Sequence, residues 1–300
     1  MSKKIKHVLG LSGGKDSSAL ALYMKETRPE LDIEYFFTDT GYELPETNEF
    51  IDQLEEKLGY IHRLNDRSLN NIEGRGDVEF KSLLKKHQNF LPSQRDRWCT
   101  VQMKLKPFEQ WADSLIAEGY EIYNYVGIRA DEPSRTGLLT INKPITSVMP
   151  FRDDGIVKSD IENILQRNGL ELPGYYTWRS RSGCSFCFYQ KKIEWVRLRE
   201  HHPDLFEQAK EFEKGEDNNV VGERFYWMGK NEPLDTLEDP EKRAQIIANH
   251  EKKVERFKKK RRRNALIESG NGSSELIGLV DLDEIYDDVE GGGACFTCYK

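Results

Sequence analysis

The sequence predicts an α/β protein with a doubly wound, Rossmann-like parallel sheet, followed by a helical C-terminal region that carries cysteines. Apolar runs of strand length alternate with amphipathic runs of helix length in the first half of the chain, a pattern typical of β-α-β units. The predicted strands span residues 7–11, 33–37, 60–64, 122–126 and 146–151. Because ligands bind beyond the carboxyl ends of such strands, the loops that follow them are the candidate site.

Three segments are predicted for the 300 residues: an α/β domain over 1–150, a helical segment with a Cys-x-x-Cys pair over 151–215, and a segment over 216–300. The last segment contains a long helix with a basic run, Lys258 to Arg263, and a flexible acidic tail that ends in a second Cys-x-x-Cys pair, Cys295 and Cys298. The basic run is interpreted either as a solvated helix end or as a contact for a nucleic-acid backbone.

Composition narrows the function classes. The net charge of −7 excludes a uniformly basic surface, so any nucleic-acid contact must be a local patch. The sequence has no apolar stretch of membrane-spanning length and no signal-peptide core near Met1, which predicts a cytoplasmic protein without a membrane partner. Four of the five cysteines form two Cys-x-x-Cys pairs, which favours metal or redox chemistry over structural disulfides.

The first predicted strand leads directly into a phosphate-binding sequence. Two glycines allow backbone N–H groups to converge on an anion at a helix N-terminus, and hydroxyl groups and a lysine add donors. Neither Walker A nor the G-x-G-x-x-G spacing occurs there, and a plain tight turn with a helix cap is the alternative interpretation. The residues concerned are Ser12, Gly13, Gly14, Lys15, Asp16 and Ser17.

Two further loops follow predicted strands. Asp39 and Thr40 end the second strand, where Asp39 suits Mg²⁺ or a ribose hydroxyl, although a turn aspartate is an equally simple interpretation. Gly127, Arg129 and Arg135 follow the fourth strand, where the arginines suit the rim of an anionic pocket. Solvated loop charges are the alternative for these arginines.

Three cysteines lie within the first two segments. Cys184 and Cys187 follow a glycine at a spacing that brings two thiolates to one ion, and flanking arginines favour the thiolate form. Cys99 stands alone beside Trp98, where a buried apolar role is the simpler interpretation. Buried structural cysteines are also the alternative for the pair.

Four motifs resemble one superfamily. Ser12 to Ser17 matches the S-G-G-K-D-S loop of the PP-loop ATP pyrophosphatases, and residues 39–47 resemble the D-T-G-x-x-x-P-E-T segment of phosphoadenosine phosphosulfate (PAPS) reductases. Residues 127–135 are similar to the G-I-R-x-x-E-S-x-x-R element, and residues 181–187 to the R-x-G-C-x-x-C segment, of PAPS-reductase-like proteins. The resemblance covers about residues 8–212, with the motifs in the family order.

The resemblance implies an enzyme that cleaves ATP between the α and β phosphates, with ATP and Mg²⁺ as cofactors. It assigns catalysis to Lys15, Asp16, Asp39 and Arg129. Nucleotide binding falls to Ser12, Gly13, Gly14, Lys15, Asp16, Ser17, Thr40, Gly127 and Arg135. It further implies a 4Fe-4S cluster on Cys99, Cys184 and Cys187, as in tRNA-thiolating relatives.

Among the branches of the superfamily, the cysteine segments look most like those of the DndC and SspD proteins of DNA phosphorothioation. That branch implies a cysteine desulfurase as sulfur donor and DNA as sulfur acceptor. The tail lacks the E-C-G-x-H segment of PAPS reductases, and Cys99-Thr100 stands where adenosine phosphosulfate reductases carry two cysteines. A sulfonucleotide reductase, a tRNA-thiolation enzyme and a non-enzymatic zinc protein are the alternatives.

Overall fold

A five-stranded sheet lies at the centre of the molecule, and all four strand pairs are parallel. The computed structural model describes residues 4–65, 76–133, 135, 144–214 and 225–269. The strands are β1 (Lys4–Leu11), β2 (Ile33–Thr38), β3 (Ile61–Leu64), β4 (Tyr120–Tyr125) and β5 (Ile145–Val148). Their order, β3-β2-β1-β4-β5, confirms the predicted doubly wound α/β class.

Helices connect and follow these strands. They are α1 (Lys15–Thr27), α2 (Pro45–Leu58), α3 (Gly76–Lys86), α4 (Trp98–Thr100), α5 (Lys106–Ala117), α6 (Pro150–Asp153), α7 (Lys158–Arg167), α8 (Lys192–His201), α9 (Pro203–Lys214) and α10 (Pro240–Ser269). A π-helical turn, Val101–Leu105, joins α4 to α5, and 3-10 turns lie at Gly174–Thr177 and Leu234–Glu238. A short hairpin consists of β6 (Phe225–Tyr226) and β7 (Gly229–Lys230).

The chain order reverses at β1, which pairs with β2 on one side and with β4 on the other. Leu11 aligns with Phe37 of β2, and Leu9 aligns with Tyr125 of β4. The loops after β1 and β4 therefore emerge side by side, at the switch point where ligands bind in open α/β sheets.

Alternate residues of β1 pack on opposite faces of the sheet, as the two-residue period of a strand requires. Leu9 and Leu11 belong to a core shared with α1, α2 and α7. Val8 belongs to a smaller core shared with α5. Both faces are thus covered, which explains the nearly continuous apolar sequence of the central strand.

A third core, largely aromatic, lies outside the sheet. Phe186 contacts Phe80 at 4.6 Å and Phe212 at 4.8 Å between ring centroids, and Tyr42 at 4.8 Å. Trp195 is fully buried in the same cluster. This core ties the turn that carries Cys184 and Cys187 to elements from the first and second predicted segments; the segment boundaries themselves stay predictions.

Two local predictions differ from the structure. The predicted strand 146–151 is shorter: β5 ends at Val148, and Pro150 begins α6, because proline is well suited to the first position of a helix. The spacing of Ser159 and Glu162 predicts a capping box that starts at Ser159, whereas in the structure Asp160 Oδ2 accepts the N–H of Val157 at 2.8 Å at the N-terminus of α7.

The longest helix, α10, is rich in charged residues over its 30 positions. In the part of the chain that the structure describes, neither this helix nor any other combines the length and the apolarity that crossing a bilayer requires. Cys295, Cys298 and the predicted acidic tail lie outside the described residues.

Candidate nucleotide and thiol site

The loop between β1 and α1 adopts the conformation that its glycines predict. Gly13 has φ +69°, where a Cβ would collide with the methyl group of Thr47. The N–H of Ser12 donates to Ser17 Oγ at 3.1 Å, and Ser18 Oγ donates to the carbonyl of Gly14 at 2.8 Å. The hydroxyl groups of the motif therefore fix the loop at the N-terminus of α1.

A tyrosine pair from the 3-10 turn Gly174–Thr177 covers this loop. The hydroxyl of Tyr175 donates to the carbonyl of Gly13 at 2.6 Å, and the N–H of Lys15 donates to the hydroxyl of Tyr176 at 3.0 Å. Lys15 Nζ lies 5.3 Å from the centroid of the Tyr176 ring, and Lys15 is only 4% exposed. The tyrosine oxygen thus occupies a donor that a phosphate oxygen would use.

Tyr175→Phe is expected to lower the free energy of unfolding by about 1–3 kcal/mol, because the buried carbonyl of Gly13 loses its donor. Urea unfolding at neutral pH measures this difference. Tyr60→Phe is the control, since Tyr60 is 72% exposed. Equal stabilities of the two variants would contradict the assigned hydrogen bond.

Arg129 connects the loop after β4 to the start of α1. Its Nη1 donates to Asp16 Oδ1 at 2.7 Å and its Nε donates to Asp131 at 2.9 Å, while Glu132 Oε2 accepts its backbone N–H. Burial lowers the pKa of Arg129, but the charges of Asp16 and Glu132 outweigh this effect and raise it overall. Arg129 is therefore a fixed cation at the phosphate loop.

The backbone approaches closely at the same place. A Cβ on Gly127 would lie 3.1 Å from the carbonyl oxygen of Asp16, tighter than an ordinary contact. Arg135 Nη1 donates to Glu132 at 2.5 Å, and Arg152 donates to the carbonyls of Glu132 and Arg135. The loop after β4 is thereby held against α1.

Arg129→Ala is expected to destabilise the fold by about 1–3 kcal/mol, because it leaves the partly buried carboxylate of Asp16 without its cation and leaves Glu132 with Arg135 alone. Arg167→Ala is the matched control. Arg167 pairs with Glu26 at an exposed site, where an ion pair contributes at most about 1 kcal/mol. Chemical denaturation measures the free energy of unfolding of both variants. Similar decreases in the two variants would contradict the structural role assigned to Arg129.

The loop after β2 contacts the turn that carries the cysteine pair. Asp39 Oδ1 accepts the N–H of Gly41 at 2.8 Å, and Thr40 Oγ1 donates to Glu43 Oε1 at 2.7 Å. Thr40 Oγ1 also lies 3.2 Å from Cys184 Sγ. Burial raises the pKa of Glu43, against the opposing effect of the Lys104 charge.

Cys99, Cys184 and Cys187 line one cavity of about 40 Å³. Burial raises the pKa of Cys99 to about 12, and that of Cys184 still further, against the opposing charge of Lys104. Both thiols are therefore neutral unless a cation stabilises the thiolate. The other lining residues are Thr40, Phe80, Pro92, Thr100, Met103, Lys104, Gly183, Phe186, Phe188 and Tyr189.

Buried hydrogen bonds from Arg179 hold the turn that carries the cysteine pair in place. Arg179, 1% exposed, donates to the carbonyls of Gly183 at 3.3 Å and Cys184 at 2.7 Å. Ser182 Oγ lies 3.5 Å from Ser12 Oγ of the phosphate loop. The turn thus contacts the phosphate loop directly.

Among the described residues, no group of three or more His, Cys, Asp or Glu side chains is arranged to hold a metal ion. A mononuclear site requires its donors to converge on one point, whereas each ligand of an iron-sulfur cluster binds its own iron atom. The cavity presents three thiol donors, the ligand type that iron-sulfur clusters use.

The structure brings the predicted residues together in two neighbouring groups. Ser12 to Ser17, Gly127 and Arg129 lie at the start of α1, and Arg135 is linked to this group through Glu132. The three thiols share a cavity that Thr40 also lines, and Asp39 is the residue before Thr40. The sequence analysis missed Tyr175, Tyr176, Ser182, Glu43, Thr47 and Lys104. The contacts of Tyr175, Tyr176 and Ser182 with the loop after β1 join segments that are distant in sequence, which no local spacing indicates. Glu43 and Thr47, in contrast, lie within the motif of residues 39–47.

Known proteins resemble this chain in sequence. Residues 6–149 match the family model described as phosphoadenosine phosphosulfate reductase domain. The uncharacterized protein MJ0973 of Methanocaldococcus jannaschii is 26% identical over 255 residues, which cover 81% of this chain and 55% of that protein. The chain therefore spans about half the length of this relative.

Two solved structures were found to be similar to this chain at low sequence identity. A PAPS reductase from Candida auris, in complex with phosphate, is 15% identical, with a TM-score of 0.44 over 60% of this chain and 81% of that chain. The U34-tRNA thiolase NcsA from Methanococcus maripaludis, with its 4Fe-4S cluster, is 14% identical. Its TM-score is 0.32, over 71% of this chain and 72% of that chain.

Proposed function

We propose that this protein is an ATP pyrophosphatase that adenylylates a nucleic acid, with the DNA backbone as acceptor, and replaces the activated oxygen with sulfur. One observation carries the proposal: the phosphate loop and a three-thiol cavity adjoin at one edge of the sheet. Thr40 Oγ1 lies 3.2 Å from Cys184 Sγ, and Ser182 Oγ lies 3.5 Å from Ser12 Oγ. The site proposed for phosphate activation and the site proposed for thiol chemistry are therefore adjacent.

In the first step, a nonbridging oxygen of the acceptor phosphate attacks the α-phosphorus of ATP. The bond from the α-phosphorus to the bridging oxygen breaks, and pyrophosphate leaves with the electron pair. Lys15 and the N–H groups of the loop stabilise the charge that develops on the departing pyrophosphate, and bound Mg²⁺ would supply further positive charge there. Tyr176 must move away from the N–H of Lys15 when phosphate binds there.

In the second step, a hydrosulfide-level sulfur attacks the acceptor phosphorus. A sulfur–phosphorus bond forms, and AMP leaves with the former nonbridging oxygen and the electron pair, so the exchange involves no net oxidation. Sulfur that arrives as the persulfide of a cysteine desulfurase carries a sulfur–sulfur bond, whose cleavage takes two electrons from a dithiol reductant.

Cys99, Cys184 and Cys187 would hold a 4Fe-4S cluster as thiolates. Bound there, the cluster would supply an iron atom without a protein ligand, at which sulfur could be held. The chain's own contribution is an apolar, partly enclosed cavity and the positive charge of Lys104, which favours the thiolate forms.

Product analysis tests this function. The protein, purified without oxygen, is incubated with ATP, Mg²⁺, duplex DNA, a dithiol reductant and a desulfurase that has been charged with ³⁵S-cysteine. We expect AMP and pyrophosphate in equal amounts and radiolabel in the DNA backbone. ADP and phosphate as products, or label in added tRNA instead of DNA, would contradict the proposal.

A second candidate is a sulfonucleotide reductase, which the match of residues 6–149 to a PAPS reductase domain favours. In that reaction a thiolate takes the sulfonate group from the nucleotide. A second thiol then releases sulfite and forms a disulfide. A dithiol reductant reduces this disulfide back to two thiols. Sulfite release from PAPS without ATP cleavage would select this function over the first.

A further inference from the structure

A second cavity, of about 410 Å³, lies between the start of α8 and the middle of α10. Among its described lining residues there is no carboxylate, whereas the whole chain has a net charge of −7. Glu232 forms an ion pair with the lining residue Lys192, so the net positive charge of the cavity comes mainly from Lys191 and Lys253. The lining side chains that are cationic, or become so on protonation, are Lys191, Lys192, Lys253 and His250.

The positive charge continues along α10. Lys253, Arg256 and Lys260 follow Asn249 at spacings of four, three and four residues, so the four positions lie within about 60° of one another around the helix. The acidic residues of this stretch, Glu251 and Glu255, fall on the opposite side. We call Lys191, Lys192, Lys253, Arg256 and Lys260 the α8–α10 cationic face.

The length of this face indicates the kind of anion. A single small anion would account for the cavity but not for the cations beyond it. Lys253 and Lys260 are about 10 Å apart along the helix axis, and phosphates recur about every 3.4 Å along each strand of duplex DNA. Lysine and arginine are the usual contacts to such a backbone.

The face is joined to the thiol site through a short, hydrogen-bonded segment. The N–H of Gln190 donates to the carbonyl of Cys187 at 2.9 Å, and its side-chain amide donates to the carbonyl of Ser185 at 2.7 Å. Lys191 follows directly and caps α8. A backbone bound on this face would lie beside the turn that carries the cysteine pair.

We infer that the α8–α10 cationic face binds the phosphodiester backbone of duplex DNA and anchors the acceptor next to the thiol site. This inference rests on the proposed function, because the chemistry there requires a backbone phosphate rather than a base. Phosphate contacts of this kind fix position without reading sequence.

Fluorescence anisotropy with a labelled 20-base-pair duplex, at several salt concentrations, tests the inference. Lys253→Glu combined with Arg256→Glu is expected to weaken binding about tenfold or more, and to lower the slope of log affinity against log salt by about 2. Lys252→Glu combined with Lys259→Glu is the control, with the same net charge on the same helix but off the face. We expect it to change affinity by about twofold at most.

Because the first step requires an acceptor phosphate, pyrophosphate release is measured at saturating DNA on all three proteins, where it is expected to be equal. Equal weakening by both double variants would overturn the inference, as would failure of the wild-type chain to bind DNA while it still cleaves ATP. Tighter binding of a folded RNA or of phosphatidylserine vesicles through this face would overturn the DNA assignment. If the wild-type chain binds DNA but does not cleave ATP, the proposed function is rejected instead.

Discussion

Lys15→Ala is expected to lower the rate of ATP-dependent pyrophosphate release by about a hundredfold to a thousandfold, the usual cost of removing one preorganised group that stabilises developing charge. Lys15 is 4% exposed and lies at the N-terminus of α1, where the helix dipole adds to its charge. Its effect on a departing pyrophosphate is therefore weakly screened by water.

The control for this variant lies on the same helix. Lys25 is in the last turn of α1 and is exposed, so Lys25→Ala removes an equal charge without touching the loop. Release of labelled pyrophosphate under saturating ATP measures both variants, and thermal melting confirms that they fold. If Lys15→Ala releases pyrophosphate at the wild-type rate, the loop after β1 has no role in the proposed mechanism.

Cys184→Ser is expected to abolish sulfur transfer to the acceptor, with pyrophosphate release retained because the phosphate loop is unchanged. Cys184 is the thiol in contact with Thr40, and it shares its cavity with Cys99 and Cys187. On protein purified without oxygen, we expect about four irons and four sulfides per chain for the wild type, and a large loss for the variant.

Ser185→Ala provides the matched control, since Ser185 lies between the two cysteines and leaves every thiol in place. Iron and sulfide content, the absorption spectrum and transferred ³⁵S are measured together on both variants. Unchanged iron and unchanged transfer in Cys184→Ser would show that this thiol neither binds a cluster nor carries sulfur.

Local pattern was sufficient for most of the fold. The apolar run over residues 7–11, together with the glycines that follow it, predicts a strand that leads into a tight turn and a helix N-terminus, and the structure confirms these elements. Phosphate binding by this loop stays a prediction. The strand 146–151 was predicted too long because the apolar run continues through Phe151. That residue is buried from the first turn of a helix rather than from a strand.

The support of the site could not be predicted in the same way. The hydroxyl of Tyr175 reaches Gly13 across 162 positions, and Thr40 meets Cys184 across 144. Such contacts depend on how separate elements pack, and no periodicity records them. Cys99 illustrates the limit: its neighbours suggest a buried apolar residue, and only the fold places it in one cavity with the other two thiols.

The match to the PAPS reductase domain model ends at residue 149, but residues beyond 149 still contribute to the core that packs on the sheet. Ile161, Ile164 and Leu165 of α7 are buried in the core that contains Leu9 and Leu20. A fragment cut at residue 149 would leave an apolar side of α1 open to water and would be prone to aggregate. The shortest autonomous folding unit is therefore expected to extend through α7 to about residue 172, where Leu172 still packs on that core.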